Sequence, residues 1–133
     1  ILNRDICTLC SACAEICPTG ALQAGGGQPQ LRFTESACVQ CGLCRRVCPE
    51  SALGLFPRYV YDRRQSDGPR ILHQEEPCLC IRCGSPFAAP GAIRKLEAVL
   101  AGHWMYADAS SRQRLRMCHA CRLADLLGYE SGR

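Results

Sequence analysis

The sequence predicts an α+β fold in two parts: a pseudo-two-fold N-terminal unit that uses one motif twice, then a small segment stapled by cysteines. Three observations predict it. The stretch CTLCSACAEICP at residues 7–18 returns with the same spacing as CVQCGLCRRVCP at residues 38–49. The copies align with a period of 31 and continue alike, PTGAL after the first and PESAL after the second. Five further cysteines follow another pattern, in CLCIRCGSPF at 78–87 and MCHACR at 117–122.

Thirteen cysteines in 133 residues mean either a disulfide scaffold or a metalloprotein. Spacing decides between them. Thirteen is odd, and the tight repeated spacing would force neighbouring thiols into strained small rings, whereas one metal centre satisfies all four. Bound metal in a reducing compartment follows, hence a cytoplasmic location. No apolar run reaches the length of a membrane span. The chain opens at Ile1 without an initiator Met, which is the expectation for a fragment or processed product.

The net charge of +4 treats every cysteine as neutral. Residues 1–56 carry four Arg against four acids, residues 57–76 again four against four, and residues 77–133 eight Lys and Arg against four acids. If the eight cysteines of the repeat hold two oxidised four-iron clusters, each adding 2− with its thiolates, the first part falls from neutral to −4. The loaded chain is then acidic first and basic last, which bears on docking rather than fold.

Within each repeat, a Cys-x-x-Cys-x-x-Cys loop can wrap three corners of a cubane cluster while turning its amides toward sulfur. The fourth corner must come from elsewhere. In runs of C-x2-C-x2-C-x3-C-P the fourth cysteine ligates the other cluster. Cys7, Cys10, Cys13 and Cys48 are therefore assigned to one 4Fe-4S cluster, and Cys38, Cys41, Cys44 and Cys17 to a second. Pro18 and Pro49 then turn the chain off each cluster. Ser11, Ala12, Ala14 and Gly42 are small, as residues pressed against a cluster need to be. In the spacer, ALQA and QLRF are short strand candidates around the GGGQP turn. A single zinc would not use a third cysteine in register, twice over.

With eight ligands, both prolines and a 20-residue spacer from Pro18 to Ala37, residues 1–56 resemble the bacterial dicluster ferredoxins. That resemblance implies a ferredoxin-like βαββαβ fold with two 4Fe-4S clusters near enough for electrons to pass between them. The whole chain also resembles the C-terminal part of larger bacterial 4Fe-4S dicluster proteins found beside molybdenum oxidoreductases and their maturation chaperones. This second resemblance implies a redox-enzyme partner.

Residues 57–76 read as a connecting β-hairpin, with Tyr59–Tyr61 and Ile71–Leu72 as strands about the SDGP turn and Arg63 and Arg64 solvated at its tip. Residues 77–133 form the four-cysteine segment. Cys80-x-x-Cys83-Gly84 looks like a zinc knuckle, and Cys118-x-x-Cys121 stands at the start of a short helix through RLADLL, ended near Gly128. Cys80, Cys83, Cys118 and Cys121 are assigned to one structural Zn in a treble-clef-like or ribbon-like site. The alternatives are a third iron-sulfur cluster recruiting Cys78, or a single rubredoxin-like iron. Otherwise Cys78 is a small buried hydrophobe, and His73, His103 and His119 are not ligands. Between the pairs, APGAIRKLEAVLAGH predicts a helix with Pro90 in its first turn, Gly102 as its stop, and Ile93, Leu96 and Leu100 on a face that covers the metal.

One-electron transfer is the function these features favour, for a carrier or subunit rather than an enzyme by itself. There is no Ser/His/Asp set, no acid-base pair and no phosphate-cradling loop, so no small-molecule substrate is evident. A zinc-knuckle module binding nucleic acid or protein is the runner-up. It rests on Arg112, Arg114, Arg116 and Arg122 around the second pair, with Ser110 or Ser111 capping a helix that carries Arg112 and Arg116 on one face. Against nucleic acid stand sparse aromatics and the acidic loaded half. A third reading makes a labile cluster a redox sensor or assembly device.

Overall fold

The computed structural model describes residues 1–128, which divide into two compact units with the boundary between Glu75 and Glu76. The first is built on the repeat. Helix α1 (Ala12–Glu15) and helix α2 (Leu43–Val47) start 31 residues apart, and so do the left-handed residues of the two copies. Leu9 (φ 52°) matches Gln40 (φ 53°), Ser11 (φ 63°) matches Gly42 (φ 79°), and Gly20 (φ 65°) matches Ser51 (φ 52°). Such conformations are costly for side-chain-bearing residues. Their recurrence in register means that both copies need the same loop path.

Between the helices, strand β1 (Leu22–Ala24) and strand β2 (Gln30–Phe33) pair antiparallel, with Leu22 opposite Phe33 and Ala24 opposite Leu31. The GGGQP turn joins them as expected. A Cβ at Gly25 would lie 2.7 Å from the Gln30 Cβ and 2.8 Å from the Gln28 carbonyl, so only glycine closes this turn. The ends of the repeat meet through an antiparallel bridge between Leu2 and Leu53, flanked by Asn3 N–H to Ala52 C=O (2.8 Å) and Gly54 N–H to Ile1 C=O (2.9 Å). Cys13, Leu22, Leu31 and Leu53 form the buried core, with Leu2, Leu9, Phe33 and Leu72 packed against it.

The expected hairpin at 57–76 is not formed. Tyr59–Tyr61 is not strand, and a short helix α3 (Arg63–Ser66) stands where the turn was expected. The Asp62 carboxylate caps it by accepting from Arg64 N–H at 2.9 Å, a local bond that outcompetes pairing. Ile71 and Leu72 do lie in a strand, β3 (Arg70–Gln74), but it pairs with β2 as the third strand of the β1–β2–β3 sheet. A bulge between Leu31 and Arg32 sets Leu31 opposite His73 and Phe33 opposite Arg70. The first unit therefore runs beyond residue 56 to Glu75.

In the second unit, strand β4 (Cys78–Leu79) pairs with strand β5 (Pro86–Ala88), followed by helix α4 (Pro90–Leu100), a 3₁₀ turn (Trp104–Tyr106), helix α5 (Ala109–Arg114) and helix α6 (His119–Leu126). Pro90 occupies the first turn of α4 as expected. Its buried face differs from expectation: Ile93 is buried but Leu96 is 44% exposed, and Glu97 takes the inner position, where it holds Arg116 Nε at 2.6 Å. The cap of α5 also differs. Asp108, not Ser110 or Ser111, accepts from Ser111 N–H at 2.9 Å, and the helix ends before Arg116, so Arg112 and Arg116 do not share a helix face. Among the described residues no helix is long and apolar enough to cross a membrane.

Candidate metal centres

All thirteen cysteines are free thiols, and the eight of the repeat divide between two cavities. Cys7, Cys10, Cys13 and Cys48 line the first; Cys17, Cys38, Cys41 and Cys44 line the second. Each cavity thus receives three thiols from its own loop and one from the other copy. Each fourth thiol accepts from an amide beyond its proline, one register position apart in the two copies: Cys17 Sγ from Leu22 N–H at 3.5 Å and Cys48 Sγ from Ala52 N–H at 3.3 Å.

Burial pushes the Cys13 thiol up to about 11, helped by the neighbouring Cys10, Cys7 and Cys48. Burial raises Cys7 too, with Cys48 and Cys10 adding to it, and burial raises Cys44 with Cys38, Cys41 and Cys17 adding. Mutual repulsion follows the cavity grouping. Four thiols that disfavour each other's ionisation are a donor set completed by cationic metal. Cys17 differs: burial opposes its ionisation, but the Leu22 amide and the Thr19 hydroxyl outweigh it and lower the pKa. Space agrees with the donors. Ser11 and Ala12 line the first cavity, and Gly42 lines the second, where a Cβ would meet Leu55 Cδ1 at 3.6 Å.

The second cavity has a border that local pattern did not reveal. Arg58 grips Glu35 through two bonds of 2.7 and 2.5 Å, and Arg70 approaches the same carboxylate at 3.4 Å while its guanidinium lies 5.3 Å above the Phe33 ring. Arg58 above all holds the Glu35 carboxyl below the usual range. This clamp fastens residues 55–62 beside the second thiol set, across 23 positions of sequence between its partners.

In the second unit, Cys80, Cys83, Cys118 and Cys121 bring their sulfurs within 4.8 Å of one another. Cys83 and Cys118 stand 3.7 Å apart. A tetrahedron with metal–sulfur bonds of about 2.3 Å has edges of about 3.8 Å, so this set has single-ion dimensions. Its first half is a knuckle in the β4–β5 connection, closed by Cys80 N–H to Ser85 C=O and Gly84 N–H to Cys80 C=O, both 2.8 Å, with Gly84 at φ 72°. Its second half is the α6 N-terminus: Cys118 stands at the N-cap position and Cys121 lies in the first turn. Ile81 N–H to Arg116 C=O (3.1 Å) ties the halves.

Ionisation is divided unevenly among these four. Burial opposes the Cys80 thiolate, but amides of Cys118, Cys83 and Arg82 bring its pKa down to about 6. Cys121 is pushed up to about 12 by burial and by the thiols of Cys83, Cys118 and Cys80. Packing comes from Met117 and Phe87, not from α4 as expected. Arg122 was missed as a brace: it donates to the carbonyls of Arg114 (3.0 Å), Met117 (3.2 Å) and Leu115 (3.5 Å), fixing the approach to α6. Cys78 and the exposed His119 stand outside the four-thiol set.

Residues 6–52 match the family model described as a 4Fe-4S dicluster domain. Over those residues the match supports an iron-sulfur domain of ferredoxin type. No curated protein matches the chain.

Proposed function

We propose that the protein passes single electrons between redox partners through two 4Fe-4S clusters, with a structural zinc ordering its second unit. One observation carries this reading: eight free thiols fall into two sets of four, each built from one loop and one thiol of the opposite copy. Cys7, Cys10, Cys13 and Cys48 would hold one cluster, and Cys38, Cys41, Cys44 and Cys17 the other, which makes the unit a pseudo-two-fold βαββαβ ferredoxin fold. When bound, such clusters supply one-electron acceptance and release. The protein's own contribution is to wrap them. Amides of Leu22 and Ala52 donate to ligand sulfur, and Leu22, Leu31 and Leu53 keep water from one side.

Cys80, Cys83, Cys118 and Cys121 would hold zinc with no open position, a structural staple. Their close spacing favours one ion over a third four-iron core, whose ligands stand further apart, and Cys78 lies outside the set. Ion pairs weigh against the nucleic-acid reading: Arg114 binds Asp125 at 2.6 Å and Arg116 binds Glu97, which leaves Arg112 and Arg122 of the four without a carboxylate partner among these bonds. A molybdenum oxidoreductase in the cytoplasm remains the partner that the sequence resemblance implies. The test is iron and zinc per chain on anaerobically purified protein, with EPR after reduction. About eight iron and one zinc, with coupled signals, supports the proposal; fewer than two reducible clusters overturns it.

A further inference from the structure

The two thiol cavities are alike in donors and unlike in charge. Among the described residues, no Lys or Arg lines the first. The second is lined by Arg58, Arg63 and Arg70 against Glu35 and Asp67, an excess of one positive charge. Burial is unequal as well. Cys13 of the first set is a member of the leucine core, whereas no thiol of the second set is buried.

Both differences act in one direction. Reduction adds a negative charge to a centre already surrounded by thiolates. Nearby cations and access of the ligand sulfurs to water favour that charge; burial of a ligand sulfur opposes it. We infer that Arg58, Arg63 and Arg70 make the Cys17–Cys38–Cys41–Cys44 site the more readily reduced of the two. An electron accepted at the other site then leaves it oxidised and comes to rest here, with no proton or atom transferred, until a one-electron acceptor protein removes it. The inference rests on the two-cluster reading and gives the conduit a direction. Glu35, ionised between Arg58 and Arg70, offsets one of these two charges and leaves the other in excess.

The test is an EPR-monitored redox titration of the full anaerobic chain with dithionite, after its iron has been counted. The expected result is two separate one-electron steps, with at least a tenfold bias in occupancy, about 59 mV for one electron. Arg63→Gln, which leaves the Glu35 clamp intact, is expected to move the upper step down and leave the lower in place. Arg58→Gln is expected to do the same by a second route. Added salt is expected to narrow the gap, because the arginines are exposed. Uptake of two electrons per chain in coincident steps, or an Arg63→Gln shift confined to the lower step, overturns the inference and leaves the two-cluster reading standing. Uptake of fewer than two electrons per chain overturns that reading itself.

Discussion

Stripping the proposed zinc from the second unit is expected to melt that unit and spare the first. Helices α4, α5 and α6 contain 11, 6 and 8 residues, against 4, 5 and 4 in α1, α2 and α3. About two-thirds of the helix among the described residues therefore lies in a unit whose buried hydrophobic residues are only Cys80, Ala89, Ile93, Leu115, Met117 and Cys121. Two of those six are thiols of the proposed metal set. Structural zinc sites supply about 10–16 kcal/mol on binding, as much as the whole stability of a small domain, about 5–15 kcal/mol. The assay is anaerobic titration with a zinc chelator, followed by far-ultraviolet circular dichroism at 222 nm and by bound iron. Loss of about two-thirds of the helical signal with iron retained is the expected outcome. A helical signal that survives complete removal of the ion would refute the reasoning, because packing alone would then hold α4–α6.

Leu31→Ala empties a site that is 3% exposed at the centre of the first core, and is expected to cost about 2–5 kcal/mol in denaturant unfolding. Gly42→Ala is expected to destabilise the unit by about 1 kcal/mol through its left-handed backbone, since its new Cβ would make only an ordinary contact at 3.6 Å; Ser11→Gly at the matching position is not. Glu35 is held below its usual pKa by Arg58, so its contribution to stability is present above the unfolded carboxylate pKa and lost as pH falls through the folded one. Glu35→Gln is expected to flatten that acid limb in unfolding measured against pH, with the neutral-pH fold preserved.

The repeat was legible because its chemistry is local: the thiol spacing, the prolines and the small residues recur at a fixed interval, and the left-handed backbone recurs with them. The four-thiol site was legible from two Cys-x-x-Cys pairs with Gly84 after one and a helix after the other. What local pattern hid were pairings across distance. β3 reads as half of a hairpin until β2 is seen to offer its free edge, and Asp62 turns the expected turn into a helix by capping it. Glu97 displaces Leu96 from the inner face of α4 because Arg116 lies 19 residues away to receive it. Asp108 could have been found in the sequence: an acidic residue three positions before Ser111 is a cap signal in its own right.

The central claim is that each cluster takes its fourth ligand from the opposite copy of the motif. Anomalous scattering at the iron edge from anaerobic crystals tests it most directly. The account predicts iron bonded to Cys48 Sγ in the core held by Cys7, Cys10 and Cys13, and to Cys17 Sγ in the core held by Cys38, Cys41 and Cys44. Iron bonding Cys17 together with Cys7, Cys10 and Cys13, or either fourth thiol joined to another sulfur, would contradict it.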